Sequence, residues 1–399
     1  MKKQIVKINL IYTLSFLSDA LFSPFLALYF SSINMDENKK GILLSLIPLA
    51  SIFGSLIYGK LSGKSQRNLL IIRILVIAQL IPMMIIGFVN NYIVILIFTI
   101  IFALHNNTFF SFQDGIGVKI TNQENAKYAN TRFFGSFGYL LGTFIGGKLI
   151  DVSSFGIVFL IAGIIFAIVE LLLFFIKVDE ETETQKEKIS LKEIFNHKEF
   201  IFYLLFYIFV LGSWNISEAY ISIMFKNNGV TTSQWGYIFA LEIFVEMATI
   251  FILNRLIKKK INYRLMLFIA IIAMSSRSLI LSLETNLWFK VFTSAILRGF
   301  SWGMFLSSHM ENVKKILPSS LITKAVLVLA VCSNLFAFLG DFIAPNIYQK
   351  YSFDLLYLII FICQILGGLI LLLFTIFKNK FDKEKNWLFS IYLLYFISS

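Results

Sequence analysis

Cysteine, histidine and charged side chains are all scarce in this chain of 399 residues. Its two cysteines, Cys332 and Cys363, fall within predicted helices and indicate packed thiols rather than a disulfide framework. The three histidines, His105, His197 and His309, do not have the spacing of a metal site. We therefore expect neither a metal nor a cofactor.

Charged residues make up 15% of the chain, hydrophobic residues make up 58%, and the mean hydropathy is +0.79. Soluble domains are only about 45–50% apolar, and about 20 apolar residues suffice to span a bilayer as a helix. The sequence up to residue 378 has room for twelve such segments. It predicts an all-α membrane protein with transmembrane helices near 5–32, 42–60, 68–88, 92–119, 127–149, 155–177, 199–225, 233–257, 263–283, 287–313, 320–347 and 353–377.

The net charge of +12 follows the predicted topology. Of the Lys and Arg residues, 25 fall at the termini and even-numbered junctions, 6 fall in the opposite loops, and 4 lie inside segments. Cytoplasmic loops of membrane proteins are enriched in Lys and Arg. We therefore predict that both termini are cytoplasmic, that the membrane is the cytoplasmic (inner) one, and that no nucleic acid is bound.

A polar stretch, residues 179–199, divides the apolar segments into six and six. The predicted units are an N-terminal bundle (1–177), a cytoplasmic linker (178–198), a C-terminal bundle (199–378) and a cytoplasmic or interfacial tail (379–399). Carriers that work by alternating access use this layout, with the substrate site near the midplane between the halves. The pattern predicts a membrane transporter.

Several segments then match a known pattern. Residues 128–138, YANTRFFGSFG, match Tyr-Gly-x-x-Arg-x-Trp-Gly-Ser-x-Gly, and residues 59–68, GKLSGKSQRN, partly match the Gly-x-Leu-Ala-Asp-Arg-x-Gly-Arg-Arg loop. Residues 235–256 supply Trp-Gly, Glu246 and Asn-Arg-Leu in matching order. These segments resemble the phenylpropionate, nucleoside and oligosaccharide proton-symporter branch of the major facilitator superfamily, which is related to lactose permease. The resemblance implies the major facilitator fold and the import of a sugar, nucleoside or aromatic acid with protons.

Single charged residues extend this resemblance. Asp114 stands where the branch has an acid at the end of the fourth span, and Arg277 stands where it has a buried arginine in the ninth. In the tenth span Arg298 replaces the family's histidine, while His309 and Glu311 follow nearer the cytoplasmic end. We include His309 and Glu311 among the candidates for the proton route.

Asp114 and Arg132 lie at similar depths if the fourth and fifth spans are antiparallel neighbours. An ion pair there would offer a guanidinium fork to a hydroxylated or carboxylated cargo. The alternative is an ion pair that only fixes helix packing.

By the same geometry, Glu246 in the eighth span should pair with Arg277 in the ninth. Burial makes a carboxylate easier to protonate, whereas a nearby arginine opposes protonation, so separation of the two would couple proton uptake to movement. Glu242 lies one turn before Glu246 on the same helix face, and close acids raise the chance that one holds a proton. The alternative is a static salt bridge.

Three further polar residues are substrate-site candidates: Asp19 in the first span, and Asn215 and Glu218 in the seventh. Asp19 either faces the cavity or pairs with an arginine. Asn215 could donate hydrogen bonds to a cargo.

Glycines at 138, 142 and 146 predict close packing of the fifth span against a neighbouring helix. The segment 142–147, GTFIGG, also resembles the Gly-Pro-x-x-Gly-Gly motif of drug antiporters, with Thr143 in place of the proline.

Together these features predict a monomeric secondary transporter that imports a small organic solute with protons. A proton-driven exporter of amphipathic compounds is the alternative. A membrane enzyme is disfavoured because no catalytic constellation or phosphate-binding glycine loop occurs, and a channel because no pore-loop segment is found.

Overall fold

The computed structural model describes residues 3–63, 65–178, 191–256 and 262–397. Throughout these residues the regular structure is helical and contains no strand, which confirms the predicted fold class. The α-helices are α1 (Lys3–Phe22), α2 (Leu26–Ser32), α3 (Glu37–Leu61), α4 (Ser65–Ile85), α5 (Tyr92–Gln123), α6 (Tyr128–Val152), α7 (Phe155–Leu173), α8 (Leu191–Phe195), α9 (Lys198–Asn227), α10 (Thr232–Leu256), α11 (Tyr263–Ser282), α12 (Leu287–Ile316), α13 (Ser319–Lys350) and α14 (Phe353–Ile397).

Eleven segments of the described part are long and apolar enough to cross a membrane. The first of them, Gln4–Ser32, joins α1 to α2 through a short 3-10 turn that contains Pro24. Apart from the five-residue α8, the described helix outside this group is α12, which has 30 residues but buries the charged side chains of Lys290 and Arg298. Because α12 packs between α10 and α11, we count it as the twelfth span.

Polar side chains fix where several helices begin. Asn91, Asn262 and Asn286 each accept hydrogen bonds from the two backbone N–H groups that open the following helix, and Asp36 does the same for α3. Such caps satisfy donors that the first helical turn leaves free. The helix ends in the loops are therefore encoded locally.

The helices form an N-terminal half, α1–α7, and a C-terminal half, α9–α14. In the first half α1 packs against α6 and α7, and in the second α9 packs against α13 and α14. Of the predicted linker, residues 179–190 lie outside the described residues. The backbone of α14 continues through the predicted tail as far as Ile397, and residues 398–399 lie outside the described part.

The glycines of α6 pack directly against α1, as predicted from their spacing. A Cβ added at Gly142 would lie 2.6 Å from the Cβ of Ala20 and 2.7 Å from the Leu17 carbonyl oxygen. A Cβ at Gly138 would meet the backbone carbonyl of Thr13. Only glycine permits this close approach of the two helices.

The two halves meet at the end of the bundles opposite the N-terminus, which we call the far end. It holds the loops at 33–36, 89–91, 153–154, 228–231, 283–286 and 351–352. There the Trp235 indole N–H donates a hydrogen bond to the Pro24 carbonyl oxygen at 3.1 Å. The Ser233 backbone N–H donates to the Asp151 carboxylate at 2.9 Å. These contacts join the first span and α6 of one half to α10 of the other.

A second contact between the halves joins α3 to α13 at the same end. The Tyr348 hydroxyl donates a hydrogen bond to Glu37 at 2.5 Å, and the Pro345 ring packs against Gly41. The far end is thereby closed over the space between the halves.

Candidate functional site

A cavity of about 400 Å³ lies between the two halves, behind the far-end contacts. Its volume falls in the range of small-molecule sites, about 300–1,000 Å³. It is lined by Ser23, Pro24, Leu26, Ala27, Leu44, Ile47, Pro48, Asn107, Tyr139, Asn215, Glu218, Ala219, Ser222, Trp235, Phe239, Asn334 and Asp341. Residues of both halves thus contribute polar groups and aromatic rings to a single space.

Two further cavities have volumes of about 430 and 270 Å³. The smaller is lined by the N-terminal half, and the larger is also lined by Ala330 and Asn334 of α13. Asn107 lines all three cavities, and Asp19 lines both of the further two. The Asp19 carboxylate accepts hydrogen bonds from the Ser23 hydroxyl at 2.6 Å and the Asn106 amide at 2.8 Å. Asp19 therefore faces the cavity, one of the two positions expected for it.

The expected Asp114–Arg132 ion pair is present, with 3.4 Å between Arg132 Nη1 and Asp114 Oδ1. The Tyr12 hydroxyl donates a second hydrogen bond to this carboxylate at 3.0 Å, and the Arg132 guanidinium lies over the Phe16 ring. Both members of the pair are about two-fifths exposed and line the 430 Å³ cavity. A guanidinium held in this way keeps donors free for a ligand.

The asparagine of the seventh span also lines the main cavity. The Asn215 amide donates to the Asn334 side chain at 3.4 Å, across α9 and α13. Glu218 lies about one turn further along α9 and lines the same cavity.

Glu218 also belongs to a buried ionic cluster within the C-terminal half. Arg277 Nη1 lies 2.5 Å from Glu218 Oε1, and Arg298 Nε lies 3.4 Å from Glu218 Oε2. Arg277 is fully buried, its Nε donates a hydrogen bond to the Ser294 hydroxyl oxygen at 3.0 Å, and its guanidinium lies over the Trp214 ring. The cluster therefore reaches the cavity through Glu218.

The predicted pair of Glu246 with Arg277 is wrong. Arg298 Nη1, not Arg277, pairs with Glu246 Oε2 at 2.8 Å. The prediction assumed that α10 and α11 are direct neighbours, whereas α12 lies between them. Gly299 and Gly303 permit the close approach of α12 to α10, because a Cβ at Gly299 would lie 2.8 Å from the Glu246 backbone nitrogen.

Glu242 is the most enclosed acid of the cluster. Its side chain is completely buried, and neither carboxylate oxygen has a hydrogen-bond partner. The nearest cationic atoms are Arg298 Nε at 3.6 Å and Arg277 Nη2 at 4.0 Å. A buried polar group without a hydrogen bond is unfavourable unless its charge is removed or compensated.

The cluster contains one more acid than base. Glu218, Glu242 and Glu246 face Arg277 and Arg298, so ionisation of all five leaves one uncompensated negative charge. Binding of one proton would balance the cluster, and closely coupled acids share such a proton among them. The arrangement can therefore take up and release a proton.

His309 and Glu311 are not brought to this cluster. The Tyr203 hydroxyl and the His309 ring are hydrogen-bonded at 2.8 Å, and the imidazole stacks on Phe305. Glu311 is partly exposed and pairs with Lys314, three residues along α12.

Two charged residues of the site were not among the residues expected from the sequence. Arg298 joins all three acids of the cluster, and Asp341 lines the main cavity. The sequence could have identified both as candidates, because each is a charged residue inside a long apolar segment. Tyr139 also lines this cavity, but nothing in the sequence distinguishes it from the other tyrosines, of which the chain has 16 in all.

Comparison with known proteins gives the same fold over nearly the whole chain. Residues 5–372 match the model of the MFS_1 like family. The uncharacterized transporter YwbF of Bacillus subtilis (strain 168) is 21% identical over 373 residues, 92% of this chain and 93% of YwbF.

Two solved structures agree with this. A variant of the nucleoside transporter NupG superposes with a TM-score of 0.80 at 14% identity, covering 93% of this chain and all of NupG. A D-xylose-proton symporter superposes with a TM-score of 0.71 at 14% identity, covering 92% of this chain and 97% of that chain. Similarity at this level establishes the architecture.

Proposed function

Because this chain belongs to the MFS_1 like family of the major facilitator superfamily, we propose that it imports a small organic solute together with protons by alternating access. Family membership makes the protein a membrane transporter rather than an enzyme. A sugar or nucleoside fits the main cavity of about 400 Å³. The named substrates of NupG and of the xylose symporter belong to these two classes.

The observation that carries the proposal is the buried cluster with its surplus acid, next to the cavity. When Glu242 is ionised, it competes with Glu218 and Glu246 for two guanidinium groups. When it is protonated, the remaining two acids balance Arg277 and Arg298. Because Glu218 also lines the cavity, proton binding at Glu242 changes the charge that a cargo meets.

The far-end contacts are the ones that have to break during the proposed transport cycle. With the topology predicted from the Lys and Arg distribution, the far end faces the outside and is closed in this conformation. Alternating access requires these contacts, including Trp235 with Pro24 and Ser233 with Asp151, to break when the cavity opens outward. They consist of a few hydrogen bonds and glycine packing, which can be exchanged for contacts at the opposite end.

For cargo binding we propose the polar groups of both halves. Asp114 and Arg132 on one side, and Asn215 and Glu218 on the other, offer donors and acceptors to hydroxyl groups. Asp19 contributes an acceptor between them. A cargo that contacts both halves favours conformations in which the two halves are close together. Cargo binding is thereby coupled to the conformational change.

The test is transport in proteoliposomes with an imposed proton gradient. Purified protein is reconstituted, and uptake of labelled hexoses, pentoses, nucleosides and aromatic acids is followed with and without a protonophore. We expect uphill accumulation of at least one solute, abolished by the protonophore and by Glu242→Gln. Glu311→Gln is the matched control, because this partly exposed acid lies outside the cluster. Accumulation that is indifferent to the proton gradient would contradict proton coupling.

The second candidate function is proton-driven export of an amphipathic compound. The observation in its favour is that the segment 142–147 lies at the contact between α6 and α10. A Cβ at Gly236 would lie 2.6 Å from the Thr143 carbonyl oxygen, and one at Gly147 would meet the Thr232 backbone. In the same vesicles, solute loss driven by an inward proton gradient, in place of accumulation, would favour export.

A further inference from the structure

We propose that the cargo carries a protonated amine, and that Asp341 is the carboxylate that binds it. The inference rests on the proposed transport function and narrows its substrate class to amine-bearing solutes of sugar or nucleoside size.

Asp341 is a buried acid that forms no ion pair with the residues that the structure describes. It lies in α13, is only 2% exposed, and its Oδ1 atom has no hydrogen-bond partner in the described part of the protein. Yet the residue lines the main cavity between the halves. An ionised carboxylate in such a position requires a cation, and the cavity is where that cation can enter.

The other acids that face these cavities are already occupied. Glu218 is held by Arg277 and Arg298, Asp114 pairs with Arg132, and Asp19 accepts two hydrogen bonds. Asp341 is thus the lining acid with a buried carboxylate oxygen that no described residue satisfies, so a ligand in the cavity is the partner that remains.

The backbone at Asp341 is fixed by its surroundings. Pro345 lies four residues later in α13 and has no N–H to donate to the Asp341 carbonyl oxygen. The Tyr220 hydroxyl donates to this oxygen instead, at 2.6 Å. Because the Pro345 ring also packs against Gly41 of α3, the turn that bears Asp341 is held at the contact between the halves.

The walls of the cavity suit an ammonium group. Its charged lining residues within the described part, Glu218 and Asp341, are both acids, so an anionic cargo would be repelled. Tyr139, Trp235 and Phe239 line the same space, and aromatic faces attract ammonium groups. With a neutral cargo Asp341 would have to hold a proton, whereas an ammonium group compensates the ionised carboxylate directly.

The position of Asp341 in α13 also places a bound ligand close to the contacts that close the far end. Asp341 lies about two turns before Tyr348, which donates to Glu37 at the far end. A cation bound at Asp341 would sit directly behind the contact of α3 with α13.

The experiment compares matched probes on the purified full-length protein. Binding of D-glucosamine is measured against D-glucose, and 2-phenylethylamine against 2-phenylethanol, by quenching of tryptophan fluorescence and by calorimetry. We expect each amine to bind about tenfold or more tightly than its neutral partner. Asp341→Asn should abolish this preference, and Asp341→Glu should retain it, so that the pair of variants separates loss of charge from loss of folding. Glu284→Gln is the control, because Glu284 is exposed in a far-end loop.

Equal binding of amine and neutral probes in the wild type would overturn the inference, as would an amine preference that survives Asp341→Asn. A third result would also overturn it. If the wild type takes up a proton when a neutral probe binds, and Asp341→Asn does not, then Asp341 binds a proton and not an amine. Failure of the proposed function is separate. It would show as absence of proton-driven accumulation in vesicles, whether or not the amine preference is found.

Discussion

Arg298 Nη1 on α12 lies 2.8 Å from Glu246 Oε2 on α10, and the same guanidinium lies 3.6 Å from Glu242. Arg298 therefore joins the two acids of α10 to Glu218 of α9. A shift of α12 relative to α10 would change all three contacts together. Under the proposed proton coupling, the α10–α12 interface is where proton binding would change the helix positions.

Glu242→Gln should separate exchange from accumulation. A neutral side chain mimics the protonated acid, so solute exchange between the two sides should stay within about tenfold of wild type, a barrier change of ~1.4 kcal/mol or less. Uphill, proton-driven accumulation should fail. The measurement is counterflow and gradient-driven uptake in the same vesicles, and retained accumulation would rule out Glu242 as the coupling acid.

Glu246→Gln is expected to behave differently in one respect. It removes the carboxylate that holds Arg298 and leaves that buried cation with Glu218 and Glu242. Loss of a hydrogen bond to a charged group destabilises by about 1.5–3 kcal/mol, and Glu242 accepts no such bond from the described residues, so Glu246→Gln should have the lower melting temperature of the two variants. Thermal unfolding of the purified variant, compared with Glu242→Gln, measures this. An unchanged melting temperature would indicate that Arg298 is not held by Glu246.

Arg132→Lys should weaken cargo binding by about tenfold, ~1.4 kcal/mol. An ammonium cannot reproduce the planar fork of donors that the guanidinium offers. The matched control is Arg73→Lys, because Arg73 pairs with Glu170 at 2.8 Å and lines none of the three cavities described above. Normal affinity in a folded Arg132→Lys protein would make the Asp114–Arg132 pair a packing element.

Gly147→Leu should block closure of the far end. Its side chain would collide with the backbone of Thr232, which cannot move aside as a side chain could. We expect loss of transport with normal membrane levels, together with labelling of Asn215→Cys by an external thiol reagent. Gly115→Leu is the control, because the space around Gly115 is open. Wild-type transport by Gly147→Leu would show that this contact is not needed for closure.

The predicted orientation can be tested by thiol labelling of intact cells. A cysteine at Asn90, in a far-end loop, should react with an impermeant reagent, and one at Lys188, which lies outside the described residues, should react only after permeabilisation. Cys332→Ser and Cys363→Ser remove the background. Labelling at Lys188 without labelling at Asn90 would reverse the topology.

The sequence by itself determined the membrane architecture and the polar residues inside it. Long apolar runs and buried charges are visible without a fold, because the bilayer penalises each exposed polar group in the same way along the chain. Local geometry also sufficed for the Asp114–Arg132 pair and for the glycine face of α6.

Only the tertiary structure decided which charges meet. The sequence pointed to Glu246 with Arg277, because it treats consecutive helices as neighbours, whereas α12 inserts between α10 and α11 and brings Arg298 instead. Likewise, the sequence shows Asp341 only as an acidic residue in an apolar span. The structure shows that it lines a cavity formed by both halves. Packing between helices distant in sequence depends on the shapes of all their faces, and that information is spread over the whole chain rather than held in any one motif.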